Sequence, residues 1–194
     1  MKIALLFGSF NPIHHGHTAM AQAAVDAGFD EVWFVVSPQN PLKHPAILAP
    51  AEHRLALVQL AIQGNEKWVL RDDEMHLPLP SYSIQTLTHF QIEYPQHAFS
   101  FLCGTDVFLQ LPQWYKYEEL LSRISFLVCK RHTETAVPPA HLAAYAERFT
   151  FIPFEPVALS STEVRAHMHE KPAGIDERVW QYIQQHHLYG VSNQ

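Results

Sequence analysis

Residues 1–28 read MKIALLFGSFNPIHHGHTAMAQAAVDAG, and their reading decides the fold. Ile3 to Phe7 form an unbroken apolar run, too short for a helix and without the alternation of a half-exposed strand, so it predicts a strand covered on both faces. Gly8 ends it. Asn11-Pro12 marks a turn. From His15 to Ala27 the chain is rich in alanine and stops at Gly28, a residue suited to the position after a helix. A strand, a Gly-containing turn and a helix in direct succession are the first half of a βαβ unit.

The same alternation continues outward from this unit. Further strands are expected at Glu31–Ser37, Lys67–Arg71, Ala98–Gly104, Ile124–Lys130 and Phe149–Phe154, all apolar and rich in β-branched or aromatic residues. Helical patterns lie at Ala51–Gln63, Ser83–Gln91, Tyr117–Ser122 and Ala140–Arg148. Two more follow in LSSTEVRAHM and DERVWQYIQQHHLYG. This order predicts an α/β fold of the doubly wound, Rossmann-like kind: a parallel sheet with helices on both faces and a small helical C-terminal segment from about residue 159 to 194. Ligands in such folds sit beyond the carboxyl ends of the strands. The proline-rich stretch Ser37–Pro50 is long for a connection, which favours a functional loop.

The 194 residues are expected to form one domain, residues 1–194. With 47% hydrophobic and 16% charged residues the chain reads as globular. A net charge of −6 argues against a general nucleic-acid binder. No apolar run approaches the length of a membrane span, and the N-terminus predicts no secretory leader, so no membrane partner and a cytoplasmic location are expected. Cys103 and Cys129 lie in separate apolar runs and read as buried free thiols.

Nucleotide binding has to use an uncommon device. The seven glycines stand at positions 8, 16, 28, 64, 104, 174 and 190, so neither a GxG spacing nor a Gly-Lys-Ser/Thr is present. GSFNPIHHGH, residues 8–17, offers an alternative. The start of a helix presents unpaired N–H groups that attract anions, and His14 and His17, three apart, can face the same side. Phosphate binding, a metal site and idle surface histidines are all open on the residues alone. For a metal, His-x-x-His supplies only two ligands.

Five segments in one order carry a resemblance. GSFNPIHHGH resembles the HxGH signature of nucleotidylyltransferases. SPQNPLKH (37–44), SYSIQTL (81–87), GTDVFLQLPQWYKYEEL (104–120) and LSSTEVR (159–165) are similar to successive motifs of the nicotinate (nicotinamide) mononucleotide adenylyltransferases. The resemblance spans nearly the whole chain. It implies transfer of the adenylyl group of ATP to nicotinate mononucleotide, giving the dinucleotide and pyrophosphate in NAD biosynthesis.

It also implies roles. His14, His17 and Arg165 would be catalytic. Gly8, Ser9, Phe10, Gly104, Asp106, Ser160, Ser161 and Thr162 would join them in the ATP site, with Asp106 on the ribose. Asn11, Lys43, Tyr82, Ser83, Trp114 and Tyr115 would hold the mononucleotide, with Trp114 as the platform for its pyridine ring. His15 fills the variable slot of the signature and is expected to be exposed. Mg²⁺ would arrive on the ATP phosphates, and no residue is assigned as its ligand. The chain departs from the nicotinate-type pattern in two places: FGSFNP replaces Gly-Gly-Thr-Phe-Asp-Pro, and CKRHTE (129–134) replaces an Arg-Pro-Gly segment. These keep nicotinamide mononucleotide open as a substrate and leave Lys130 and Arg131 without a role. Another adenylyltransferase, such as the pantetheine-phosphate type, and a non-catalytic ATP sensor are the alternatives. The sequence carries no signal of oligomeric state.

Overall fold

A computed structural model describes residues 1–39, 48–130, 138–154 and 160–191. Six strands, β1 (Lys2–Gly8), β2 (Glu31–Val36), β3 (Trp68–Arg71), β4 (Ala98–Gly104), β5 (Ser125–Lys130) and β6 (Phe149–Pro153), form one sheet in the order β3-β2-β1-β4-β5-β6. Every neighbouring pair is parallel. The α/β expectation, with its doubly wound sheet, therefore holds. Helices are α1 (His15–Asp26), α2 (Ala51–Ile62), α3 (Ser83–Glu93), α4 (Thr105–Leu109), α5 (Tyr117–Arg123), α6 (Ser161–Ala166) and α7 (Glu177–Gln185).

The unbroken apolar strands have the predicted cause, since the sheet is buried on both faces. Ala4, Leu6, Val32, Phe34, Leu127 and Cys129 point to one side, where α1, α2 and α7 cover them with Ala21, Leu57, Val58, Val179 and Ile183. Ile3, Leu5, Trp33, Val35, Phe101 and Cys103 point to the other, under Ile84, Leu87 and Phe90 of α3 and Leu120 and Leu121 of α5. Cys103 and Cys129 thus sit on neighbouring strands but opposite faces, both buried and unbridged, and burial pushes the Cys129 thiol up to about 12. The small side chains of α1 let it lie across the middle of the sheet. Gly28, at φ 91°, ends this helix in the left-handed conformation that its sequence position suggested.

Three elements differ from expectation. Ala140–Arg148 is a 3-10 segment interrupted at Tyr145, because Leu142 is its one buried residue and no apolar stripe holds a full α-helix. Thr105–Leu109 forms a short helix directly after β4, and Asp73–His76 a 3-10 turn after β3. Both are too brief to show a period in sequence. No helix among the described residues is long and apolar enough to cross a membrane.

Candidate functional site

The strand order reverses between β1 and β4, and there the sheet opens. Pairing between them ends at Leu5↔Phe101, three residues short of Gly8 and Gly104, so their carboxyl ends part around a crevice. Both glycines have a steric reason. A Cβ on Gly8 would stand 2.9 Å from the ring of Phe10, which folds back from a left-handed backbone (φ 43°) and is buried. A Cβ on Gly104 would stand 2.8 Å from Oδ1 of Asp106, so that exposed carboxylate lies over the end of β4.

His14 and His17 do two things at once. His14 is the N-cap of α1, and its Nδ1 accepts from the Gly16 N–H at 3.1 Å. Nδ1 of His17 in turn accepts from the His14 N–H at 3.2 Å. Accepting at Nδ1 places the neutral ring's proton on Nε2 in each case. The two rings lie tilted against each other at 3.9 Å, with Phe10 edge-on to His17 at 5.0 Å. Burial, helped by the charge of His15, pulls the His14 pKa down from 6.5 to about 4, so at neutral pH it is an uncharged Nε2–H donor. His15 is exposed, as expected. Among the described residues no group of three His, Cys, Asp or Glu side chains is placed to hold a metal ion.

The far end of the chain closes on this turn. Ser161 Oγ donates to the Pro12 carbonyl at 3.1 Å, and Arg165 Nη1 to the Asn11 carbonyl at 2.5 Å. Arg165 also reaches Thr162 Oγ1 at 3.3 Å. Ser160 caps α6: its Oγ accepts from Glu163 N, while its own N–H donates to Glu163 Oε2. Ser160 thus serves as a helix cap, while Ser161 and Arg165 bring the motif to GSFNPIHHGH across about 150 residues. Asn11 has a structural task as well. It is 3% exposed, and its Oδ1 accepts from Ala49 N at 3.0 Å, fastening the turn to the far end of the proline-rich loop.

Across the crevice, the rings of Tyr82 and Tyr115 meet at 4.5 Å, tilted, and Tyr82 occupies the N-cap position of α3 so that Ser83 opens it. Trp114 is partly buried, its ring meeting Phe101 edge-on at 5.8 Å, while Tyr115 is 51% exposed. These four residues therefore lie together. Lys43, Arg131 and Leu159 lie outside the described residues.

Sequence reading missed Arg54. It is 1% exposed, and its guanidinium donates to four carbonyls: Ala49 at 2.9 Å, Ser9 at 2.8 Å, Ser37 at 2.6 Å and Pro38 at 3.0 Å. It joins the turn after β1, the end of β2 and the start of α2. Burial lowers its pKa from the ordinary value. The available signal was its spacing from Leu57 and Val58, which puts a charge on the apolar face of α2. Tyr189 was also missed. Its hydroxyl is buried, with no hydrogen bond among the described residues, and feels the charges of both Arg54 and Arg165.

Comparison with known proteins agrees with this architecture. The profile of the cytidylyltransferase-like family matches residues 5–167. A probable nicotinate-nucleotide adenylyltransferase of Bacteroides thetaiotaomicron is 34% identical over 194 residues, covering 96% of this chain and 92% of that one. Its Bacteroides fragilis counterpart is 45% identical over 131 residues, an alignment spanning 67% of this chain and 65% of that relative's length. The structure of a Plasmodium falciparum nicotinic acid mononucleotide adenylyltransferase complexed with NaAD superposes with a TM-score of 0.81 at 20% identity, covering 98% of each chain.

Two measurements check this site. Arg54→Met leaves four carbonyls without their charged donor and should lower unfolding stability in urea by about 3 kcal/mol or more; a loss below about 1 kcal/mol would mean water replaces the guanidinium. For His14, the unfolded ring takes up a proton below pH 6.5 that the folded ring refuses until about pH 4. The unfolded state binds more protons in that window, so this ring's contribution is intact above pH 6.5 and falls by about 3 kcal/mol on the way to pH 4. The melting curve of His14→Gln should accordingly be flatter against pH than that of the unsubstituted protein between those values, and parallel curves would contradict a buried neutral ring.

Proposed function

We infer the reaction from the premise that this chain belongs to the cytidylyltransferase-like family and, within it, to the nicotinate-nucleotide adenylyltransferases. It transfers the adenylyl group of ATP to nicotinate mononucleotide, releasing pyrophosphate, in NAD biosynthesis. The observation that carries this reading is the joining of two distant motifs: Arg165 and Ser161 hold the carbonyls of Asn11 and Pro12 at the foot of the histidine turn.

The nucleophile is a phosphate oxygen of the mononucleotide, already ionised at neutral pH, so no general base is needed. The protein's work is to align two anions and to offset charge building on the α-phosphate and the leaving pyrophosphate. His14 and His17 suit this, since each ring's proton stands on Nε2. Burial keeps His14 uncharged, so it donates without adding a charge that would hold pyrophosphate back. Thr162 and Arg165 would meet the phosphates from α6, and Gly8, Ser9 and Phe10 would line the nucleotide through their backbone. Asp106, over Gly104, would accept from the ribose hydroxyls. Trp114 and Tyr115, with Tyr82 and Ser83, would receive the pyridine ring and its carboxylate. Mg²⁺ carried on the triphosphate would supply further charge neutralisation; among the described residues no three metal-ligating side chains converge, which fits a delivered ion better than a resident one.

A pyrophosphate-release assay with ATP and Mg²⁺ tests the reading against three acceptors: nicotinate mononucleotide, nicotinamide mononucleotide and phosphopantetheine. Release with nicotinate mononucleotide is expected; release with phosphopantetheine alone, or with neither pyridine nucleotide, overturns it. In the same assay His17→Ala should lower kcat by roughly 10² or more. A change confined to the KM for ATP would make His17 a binding residue only.

A further inference from the structure

Beneath the first turn of α3 stands a buried carboxyl group that adenylyl transfer does not use. Glu74 lies in the 3-10 turn after β3 and is 2% exposed. Its Oε1 accepts from Thr86 Oγ1 at 2.6 Å, and Thr86, in the first turn of α3, is itself buried. The hydroxyls of Ser37, directly after β2, and Ser81, directly before Tyr82, lie beside it. Both favour its charged form, although burial is the larger influence and pushes its pKa up. Oε2 of Glu74 and Oγ of Ser81 are fully buried, and neither makes a hydrogen bond of good geometry among the described residues. Three separate segments therefore meet on one carboxyl group: the end of β2, the turn after β3 and the start of α3. A buried polar group is expensive unless a structural demand keeps it there.

We propose that Glu74 is a positioning residue for the mononucleotide half of the site: through the hydrogen bond it accepts from Thr86 it holds the first turn of α3, and with it Tyr82 and Ser83, against Tyr115. The proposal rests on the assignment of Tyr82, Ser83, Trp114 and Tyr115 to the mononucleotide. The ATP half is braced by different groups, with Arg54 on the Ser9 carbonyl and Arg165 on that of Asn11. Ser37 is where the two braces touch, its carbonyl on Arg54 at 2.6 Å and its hydroxyl toward Glu74. Loss of Glu74 should consequently act on one substrate and not the other.

The test is steady-state kinetics of the full chain and of Glu74→Gln, Glu74→Ala and Thr86→Val, with hydrogen exchange of the amides from Ser83 to Leu87. Glu74→Ala should raise the KM for nicotinate mononucleotide about 10-fold and that for ATP less than about twofold. Glu74→Gln keeps an acceptor for Thr86 and should recover part of the loss. Thr86→Val, which leaves the carboxyl in place, should fall between. Exchange at Ser83–Leu87 should quicken in Glu74→Ala. If Glu74→Ala does not fold, Glu74→Gln and Thr86→Val carry the same comparison. Equal rises in both KM values, or a lower melting temperature with both KM values unchanged, overturn the proposal. An unsubstituted protein inactive with nicotinate mononucleotide would defeat the reaction assigned above. Exchange then decides this proposal alone, and unchanged rates at Ser83–Leu87 overturn it.

Discussion

The site depends on one buried cation. Arg54 lies under the crevice with its guanidinium satisfied by carbonyl oxygens of Ser9, Ser37, Pro38 and Ala49. A carboxylate partner would make a local pair. Backbone carbonyls instead tie the charge to chain direction, since each oxygen points inward only if its peptide plane is turned correctly. The turn after β1, the end of β2 and the segment before α2 are thus oriented by four N–H groups of one side chain. Asn11 repeats this from the other side through its bond to Ala49 N. The histidine turn is rigid because Arg54 holds its Ser9 carbonyl from beneath, while Arg165 and Ser161 hold the carbonyls of Asn11 and Pro12 from α6.

This bracing bears on electrostatics. The chain carries a net charge of −6, and its proposed substrates are both anions. The net charge therefore supplies no attraction for them. The N–H groups at the start of α1, expected from the sequence to be unpaired, are already taken, His15 N by the Gly174 carbonyl, Gly16 N by His14 Nδ1 and His17 N by the His14 carbonyl. What the crevice offers is short-range: Nε2 donors and a guanidinium set on oriented backbone. Such donors do not need to reorganise as charge develops, which is where preorganised sites gain over water.

Much of this was legible in the sequence, for identifiable reasons. Strands covered on both faces read as apolar runs, so all six could be placed within a residue or two. The turn from Gly8 to His17 was legible because glycine, proline and histidine each carry a strong local constraint. Glu74 was not, and Arg54 showed only as a charge on the apolar face of α2, because a buried charge looks like any other charge until its partners are known. Those partners are carbonyls, hydroxyls and backbone angles that leave no trace in residue type. Arg165 was visible in its motif, but its bond to Asn11 crosses 154 positions. The tautomers of His14 and His17 follow from cap geometry, which spacing alone does not specify.

The reciprocal cap at the start of α1 has a thermodynamic meaning beyond orientation. The two bonds that close this first turn, Gly16 N–H to His14 and His14 N–H to His17, are also the bonds that direct each ring's proton outward. Fraying of the turn and loss of the proposed phosphate donors are then a single equilibrium. Helix ends are ordinarily the first parts of a fold to open. Here the opening would silence the protein while the sheet behind it stays intact, so heat inactivation would precede unfolding. A bound triphosphate, by holding both rings, would close the same turn and make the helix start one of the most ligand-stabilised parts of the chain.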